Sequence, residues 1–129
     1  MNNRSTLLKS IRPKIDIDNT KSTDLEIFQS VSLRPILKLQ NEIILALINN
    51  FLAEHKVIVK NLTETKKIER IHDIFKNNIQ QKQMLFGVII GHFTHEEFMF
   101  YNQNKKEVTK RIITMLLERV CSQLEKVQF

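Results

Sequence analysis

The run His92-Phe93-Thr94-His95-Glu96-Glu97-Phe98 gathers two imidazoles and two carboxylates into a few residues. His92, His95 and Glu96 are of the types that ligate zinc, which takes three or four donors converging in a tetrahedral shell. The spacing works against that shell. Thr94 has Glu97 three residues on, the pattern of a capping box, and Phe93 and Phe98 stand where a hydrophobic staple places them. A helix is therefore expected to start at Thr94, with His92 ahead of it. His95 and Glu96 then leave its first turn about 100° apart. Glu96 and Glu97 would complement the positive end of the helix dipole. The corner reads as structural first, with His92, His95 and Glu96 as the metal-ligating alternative.

Other constellations are weaker. Glu69-x-x-His72 has the spacing used by di-metal bundles, but those need a second copy and two more glutamates on facing helices, and the chain has no second copy. A polar set made of Arg34, Gln40, Asn41, His92 and Tyr101 would line a small ligand pocket if the corner packs over the start of a central helix; otherwise it is an internal hydrogen-bond network. Cys121 sits between Val120 and Leu124 and reads as a small buried hydrophobe. No glycine-rich phosphate loop is present, and no cofactor is expected. A DNA-reading helix after Gly91 would present Glu96, Glu97 and large apolar side chains to phosphate, which repels it.

Composition sets the frame for these groups. The chain has 129 residues, one domain's worth, enough to bury about two-thirds of its unfolded surface. One cysteine excludes an internal disulfide. The longest apolar run, 43–48, is far short of a membrane span. Residues near the N-terminus lack a signal-peptide core, so a cytoplasmic location is expected. Net charge is +6, and Arg4, Lys9, Arg12 and Lys14 supply four positive charges to the first fourteen residues without an acid. Such an arm suits weak contact with nucleic acid or an anionic surface, or simply a solvated tail.

With only two glycines, Gly87 and Gly91, and two prolines, Pro13 and Pro35, breakers are scarce and an all-α fold follows. The expected architecture is a compact bundle of four to five main helices (25–129) behind an irregular basic N-terminal arm (1–24). In the arm, Ser5 starts a short helix and 14–18 alternates like a strap. Asp24 caps a helix that stops before Pro35. Pro35 opens the longest helix, to about residue 55, with apolar residues round more than half its circumference. Lys38, Glu42, Asn49 and Glu54 mark its wet side, and Gln40, on a buried row, needs an internal partner. Thr63 or Thr65 starts an amphipathic helix bearing Ile68, Ile71, Ile74 and Phe75. Residues 80–90 form a largely buried helix, in which Gly87 admits a neighbouring backbone and Gly91 supplies a left-handed stop. Asn104 with Glu107 suggests a second capping box, opening a last helix to about residue 126.

Phe28-Gln29, Leu33-Arg34-Pro35-Ile36-Leu37-Lys38-Leu39-Gln40-Asn41 and Gly91-His92-Phe93-Thr94-x-Glu96-Glu97 together resemble a small family of Bacteroidetes proteins. Asn2-Asn3-Arg4 and Ile11-Arg12-Pro13-Lys14 extend the resemblance over nearly the whole chain. It implies a bacterial origin and the label "glyoxalase" that members often carry. Neither kind of glyoxalase site is supplied by these residues: one kind needs metal ligands on paired βαβββ units, the other a metallo-β-lactamase motif. Three readings remain. The first is a non-enzymatic association protein acting as a homodimer, because the apolar faces exceed what a body this small needs. The second is a small glyoxalase-labelled lyase using His92, His95 and Glu96. The third is a weak nucleic-acid or anionic-surface binder through Arg4, Lys9, Arg12 and Lys14.

Overall fold

Pro35 does not start a helix. In the computed structural model, which describes residues 3–14 and 23–129, it lies inside one. Thr23, not Asp24, is the cap, closing a reciprocal box with Glu26. Helix α2 (Asp24–Phe28) then widens into a π-turn (Gln29–Leu33) and tightens again as α3 (Arg34–Leu39). A proline inside a regular helix clashes with the carbonyl four residues back. Here the Arg34 amide reaches the Gln29 carbonyl, five residues back, so the backbone is wide where the ring must pass. The break falls at Gln40 (φ −91°, ψ 9°), where the axis turns by 60° into α4 (Asn41–Glu54).

Helix α4 ends without glycine. Lys56 takes φ 53°. The Val57 amide reaches back to the Leu52 carbonyl and Lys56 to Ala53, the two bonds of a Schellman stop. Thr63 caps α5 (Glu64–Asn77) and Asn78 caps α6 (Ile79–Ile90), each accepting from an amide three residues on. Ile71, Ile74 and Phe75 turn inward from α5 as the periodicity requires. Gly91 is right-handed (φ −59°), and a Cβ on Gly87 would meet nothing within 4 Å, so both expectations for the glycines are corrected.

The Thr94–Glu97 capping box forms as expected and starts α7 (His95–Gln103). Phe93 and Phe98 both lean on Tyr101, at ring separations of 6.1 and 5.8 Å. Asn104 makes no second box. Its side chain donates to Phe100, and α8 (Lys105–Cys121) follows, succeeded by a 3₁₀ turn (Leu124–Lys126). The arm carries a helix, α1 (Asn3–Ser10), where Ser5 suggested one; the expected strap falls mainly outside the described residues.

The fold is all-α, with no strand among the described residues, and it is cut into more pieces than the four or five long helices expected. Gln40 and the step at Ser122–Gln123 are the added breaks, while the boundary at Asn104 falls where it was expected. The core is one cluster centred on Leu33, Ile36 and Leu37 of the segment before the bend and Ile44, Ile48 and Leu52 after it. Leu85, Ile89, Ile112 and Leu116 close it from α6 and α8. No single helix among the described residues is long and apolar enough to cross a membrane.

Candidate functional site: an arginine clasp and an arginine-lined cleft

The corner that carries the histidines is covered by the N-terminal arm. Arg12 donates to both carboxylate oxygens of Glu97, at 2.8 and 2.6 Å, and to the His92 carbonyl at 2.7 Å. Arg4 donates to the carbonyls of Phe93 (2.6 Å) and Gly91 (3.0 Å). The side chains of Arg12 and Glu97 are 6% and 9% exposed, so this ion pair is buried. Glu97 also accepts from the Thr94 amide at 2.8 Å, as the capping box demands. One carboxylate therefore closes a helix end and anchors the arm. Burial pushes the Glu97 carboxyl up, but hydrogen bonds from Arg12, Ser32 and the Thr94 amide, with the charge of Arg12, hold it below its ordinary value.

His92 supplies its carbonyl, not its ring. Burial, and then the charges of Arg12 and Arg4, push the imidazole below its ordinary value. Its Nδ1 is buried without a partner, as is the Arg12 Nε. The two guanidiniums whose charges reach this imidazole repel a metal cation. His95 and Glu96 stay exposed on the first turn of α7, and no group of three or more metal-ligating side chains converges among the described residues. The set His92, His95 and Glu96 does not assemble.

The five-residue polar set is divided. Gln40 reaches the Val88 carbonyl of α6 at 3.4 Å. Tyr101 lies buried among Phe86, Phe93 and Phe98, in the aromatic packing behind the corner. Asn41 forms a reciprocal amide pair with Gln123, at 2.9 and 2.8 Å. Asn49, expected on the wet side, ties the C-terminal tail to α4 by donating to Lys126 and accepting from the Gln128 amide.

Arg34 opens onto a cleft that sequence reasoning missed. About 380 Å³ of space lies between α3 and α8, with Arg34 and Arg119 in its wall beside Gln29, Glu118 and Ser122. Arg119 is half-buried, and its nearest acceptor is the Asn41 Oδ1 at 3.5 Å. Burial, then the charge of Arg34, lowers its pKa. The cleft continues into a second of about 420 Å³, walled by Glu107, Lys110, Arg111 and Thr114, with Gln29 and Glu118 common to both. Arg111 donates to Gln29 and so fixes the partition. The signal that could have found this pair was faint: two arginines 85 positions apart, with only the helical stripe of α8 to relate them.

Cys121 lines a smaller cleft with His72. Burial pushes its thiol up, the opposite of an activated nucleophile. Glu69, the other half of the di-metal spacing, is exposed on α5. Comparison with family models, with curated proteins and with solved structures finds no match to this chain.

Proposed function

We propose that the protein is a non-enzymatic helical association protein that acts as a cytoplasmic homodimer through the outward face of α4 and α6. The observation that carries this reading is a charge-poor apolar strip. Gln40 bonds to Val88 and Gln81 to Leu47, which sets α4 and α6 antiparallel in one register. Along that seam Ile44 and Leu85 are buried, while Ile43 and Met84, each one residue earlier in its helix, stay exposed. The latter two are 51% and 54% exposed. Lys82 is the only charged residue in α6, and α4 has only Glu42 and Glu54. Depletion of charge distinguishes an interface centre better than bulk hydrophobicity does.

A second copy is the natural occupant. A two-fold contact needs a patch complementary to itself. Here Met84 lies one helical turn before Gly87 on α6, and the space a Cβ would take at Gly87 is open, with room for another molecule's side chain. Sedimentation velocity tests the reading. The wild type is expected at twice the 15.3 kDa chain mass. Met84→Glu, an exposed substitution, is expected at the chain mass with its helical circular dichroism retained. A wild type that stays monomeric at high concentration ends the proposal.

The lyase reading is weaker, because the His92 ring is half-buried beside the charges of Arg12 and Arg4 while His95 and Glu96 are exposed and no three metal-ligating side chains converge among the described residues. The surface-binding reading keeps only Lys9 and Lys14, which are exposed on the arm; Arg4 and Arg12 are engaged in the clasp.

A further inference from the structure

The cleft between α3 and α8 sets two guanidiniums in one wall without an acid to neutralise them. Among the described residues, Arg34 has no hydrogen-bond or ion-pair partner, and Arg119 has only the long contact to Asn41. Glu118 shares the wall but lies beyond ion-pair distance of both. Arg119 is half-buried beside the charge of the exposed Arg34, and a guanidinium so placed is unfavourable unless something else satisfies it. We propose that this cleft binds a small phosphate monoester.

The chemistry of the wall selects the ligand. Two guanidiniums match the two charges of a phosphate monoester, whereas a simple carboxylate brings only one. Each guanidinium presents a planar fork that pairs with two phosphate oxygens. Gln29 and Ser122 add neutral hydrogen-bonding groups at the rim. Glu118 stands at the passage into the second cleft, and Glu107 lies within that cleft. Lys110 and Arg111 line that cleft too and balance the two acids, so its mixed walls suit a polar body bearing hydroxyl or amine groups. Thr114 lines the same space. The inferred ligand has one phosphate at Arg34 and Arg119 and a short polar body reaching toward Glu118. An extended nucleic-acid backbone would find no continuous run of cations there, because Glu107 and Glu118 are mixed with Lys110 and Arg111.

Calorimetric titration with glycerol 3-phosphate, at constant ionic strength in sodium chloride, tests the site. Saturable one-to-one binding per chain is expected, with free glycerol giving none. Arg119→Gln and Arg34→Gln are each expected to weaken binding by about tenfold or more, the loss of a charge-assisted bidentate contact. Arg70→Gln, on the exposed face of α5, controls for net charge and leaves affinity unchanged. Arg34 is itself exposed, so its variant remains informative if Arg119→Gln fails to fold. Binding tightens as the pH rises through the second phosphate ionisation, near about 6. Absence of saturation, equal loss in Arg70→Gln, or binding of single-stranded RNA that glycerol 3-phosphate does not displace would each overturn the proposal.

Discussion

Arg12 brings a guanidinium into a buried place, and among the described residues Glu97 is the carboxylate paired with it. A buried ion pair adds little over well-packed apolar groups, but breaking one strands a charge. Arg12→Ala would leave Glu97 with its capping-box bonds and without its countercharge. Because Arg12 is on a short arm, the arm can lift and let water reach Glu97, so the cost stays below that of a locked pair. Destabilisation of about 2 kcal/mol in urea denaturation is expected, with amide protection lost in α1. Arg12→Lys keeps the charge but not the fork, and should not restore that protection. Unchanged exchange in α1 would show that the clasp does not hold the arm. The clasp was illegible in the sequence: its partners are separated by 85 positions, and a basic arm looks the same whether it is solvated or docked. The capping box at Thr94 was legible because both its groups lie within four residues.

His92 gives the same corner a pH dependence with a definite sign. Its folded-state pKa lies below the ordinary 6.5, so the unfolded chain takes up the proton first. Stability from this group is complete above about pH 6.5 and falls as the pH drops through 6.5 toward the folded value. Glu97, held below its ordinary 4.5, contributes stability above 4.5 that is lost at lower pH, as its folded value is crossed. Two separate acid losses are expected in urea midpoints measured against pH. His92→Gln should remove the upper one and leave the lower. A single transition shared by wild type and variant would show that the imidazole is not held neutral by burial and the arginines.

At the scale of elements, helix type and most starts could be read from periodicity and caps, while stops and bends could not. Pro35 suits a helix start because the first turn tolerates a missing donor; the π-turn that lets it pass inside a helix has no local sequence mark, and Leu33 and Ile36 around it are fully buried. The stop of α4 was hidden for another reason. Lys56 holds a left-handed conformation that sequence patterns assign to glycine. A β-carbon in that region costs about 1–2 kcal/mol, whereas glycine costs about 0.5–1 kcal/mol in chain entropy. Lys56→Gly should therefore stabilise the fold by about 0.5–1 kcal/mol, seen as a higher urea midpoint with an unchanged slope. A loss of stability would mean that the lysine side chain does more than cover the turn.

For the whole molecule, the question is what the outward face of α4 and α6 is for, and Gly87 separates its two possible roles. Glycine inside a helix costs about 1 kcal/mol relative to alanine. A Cβ at this position meets nothing within 4 Å, so the single chain gains no packing from the glycine. If the face were only solvated, Gly87→Ala would stabilise the protein and change nothing else. If a second copy seats a side chain there, the added methyl also blocks that seat. The variant is then expected to unfold at higher denaturant when dilute, where monomer dominates, by about 1 kcal/mol. It should also lose the rise in melting temperature with protein concentration that a dimer imposes. On the proposed reading, the bare glycine is a stability defect in the monomer that association would put to use. Denaturation of wild type and Gly87→Ala across a hundredfold range of concentration (about 2.7 kcal/mol of linkage at full effect) decides between them. Parallel curves, offset by the helix propensity alone, would leave the strip at Ile43 and Met84 without a second copy.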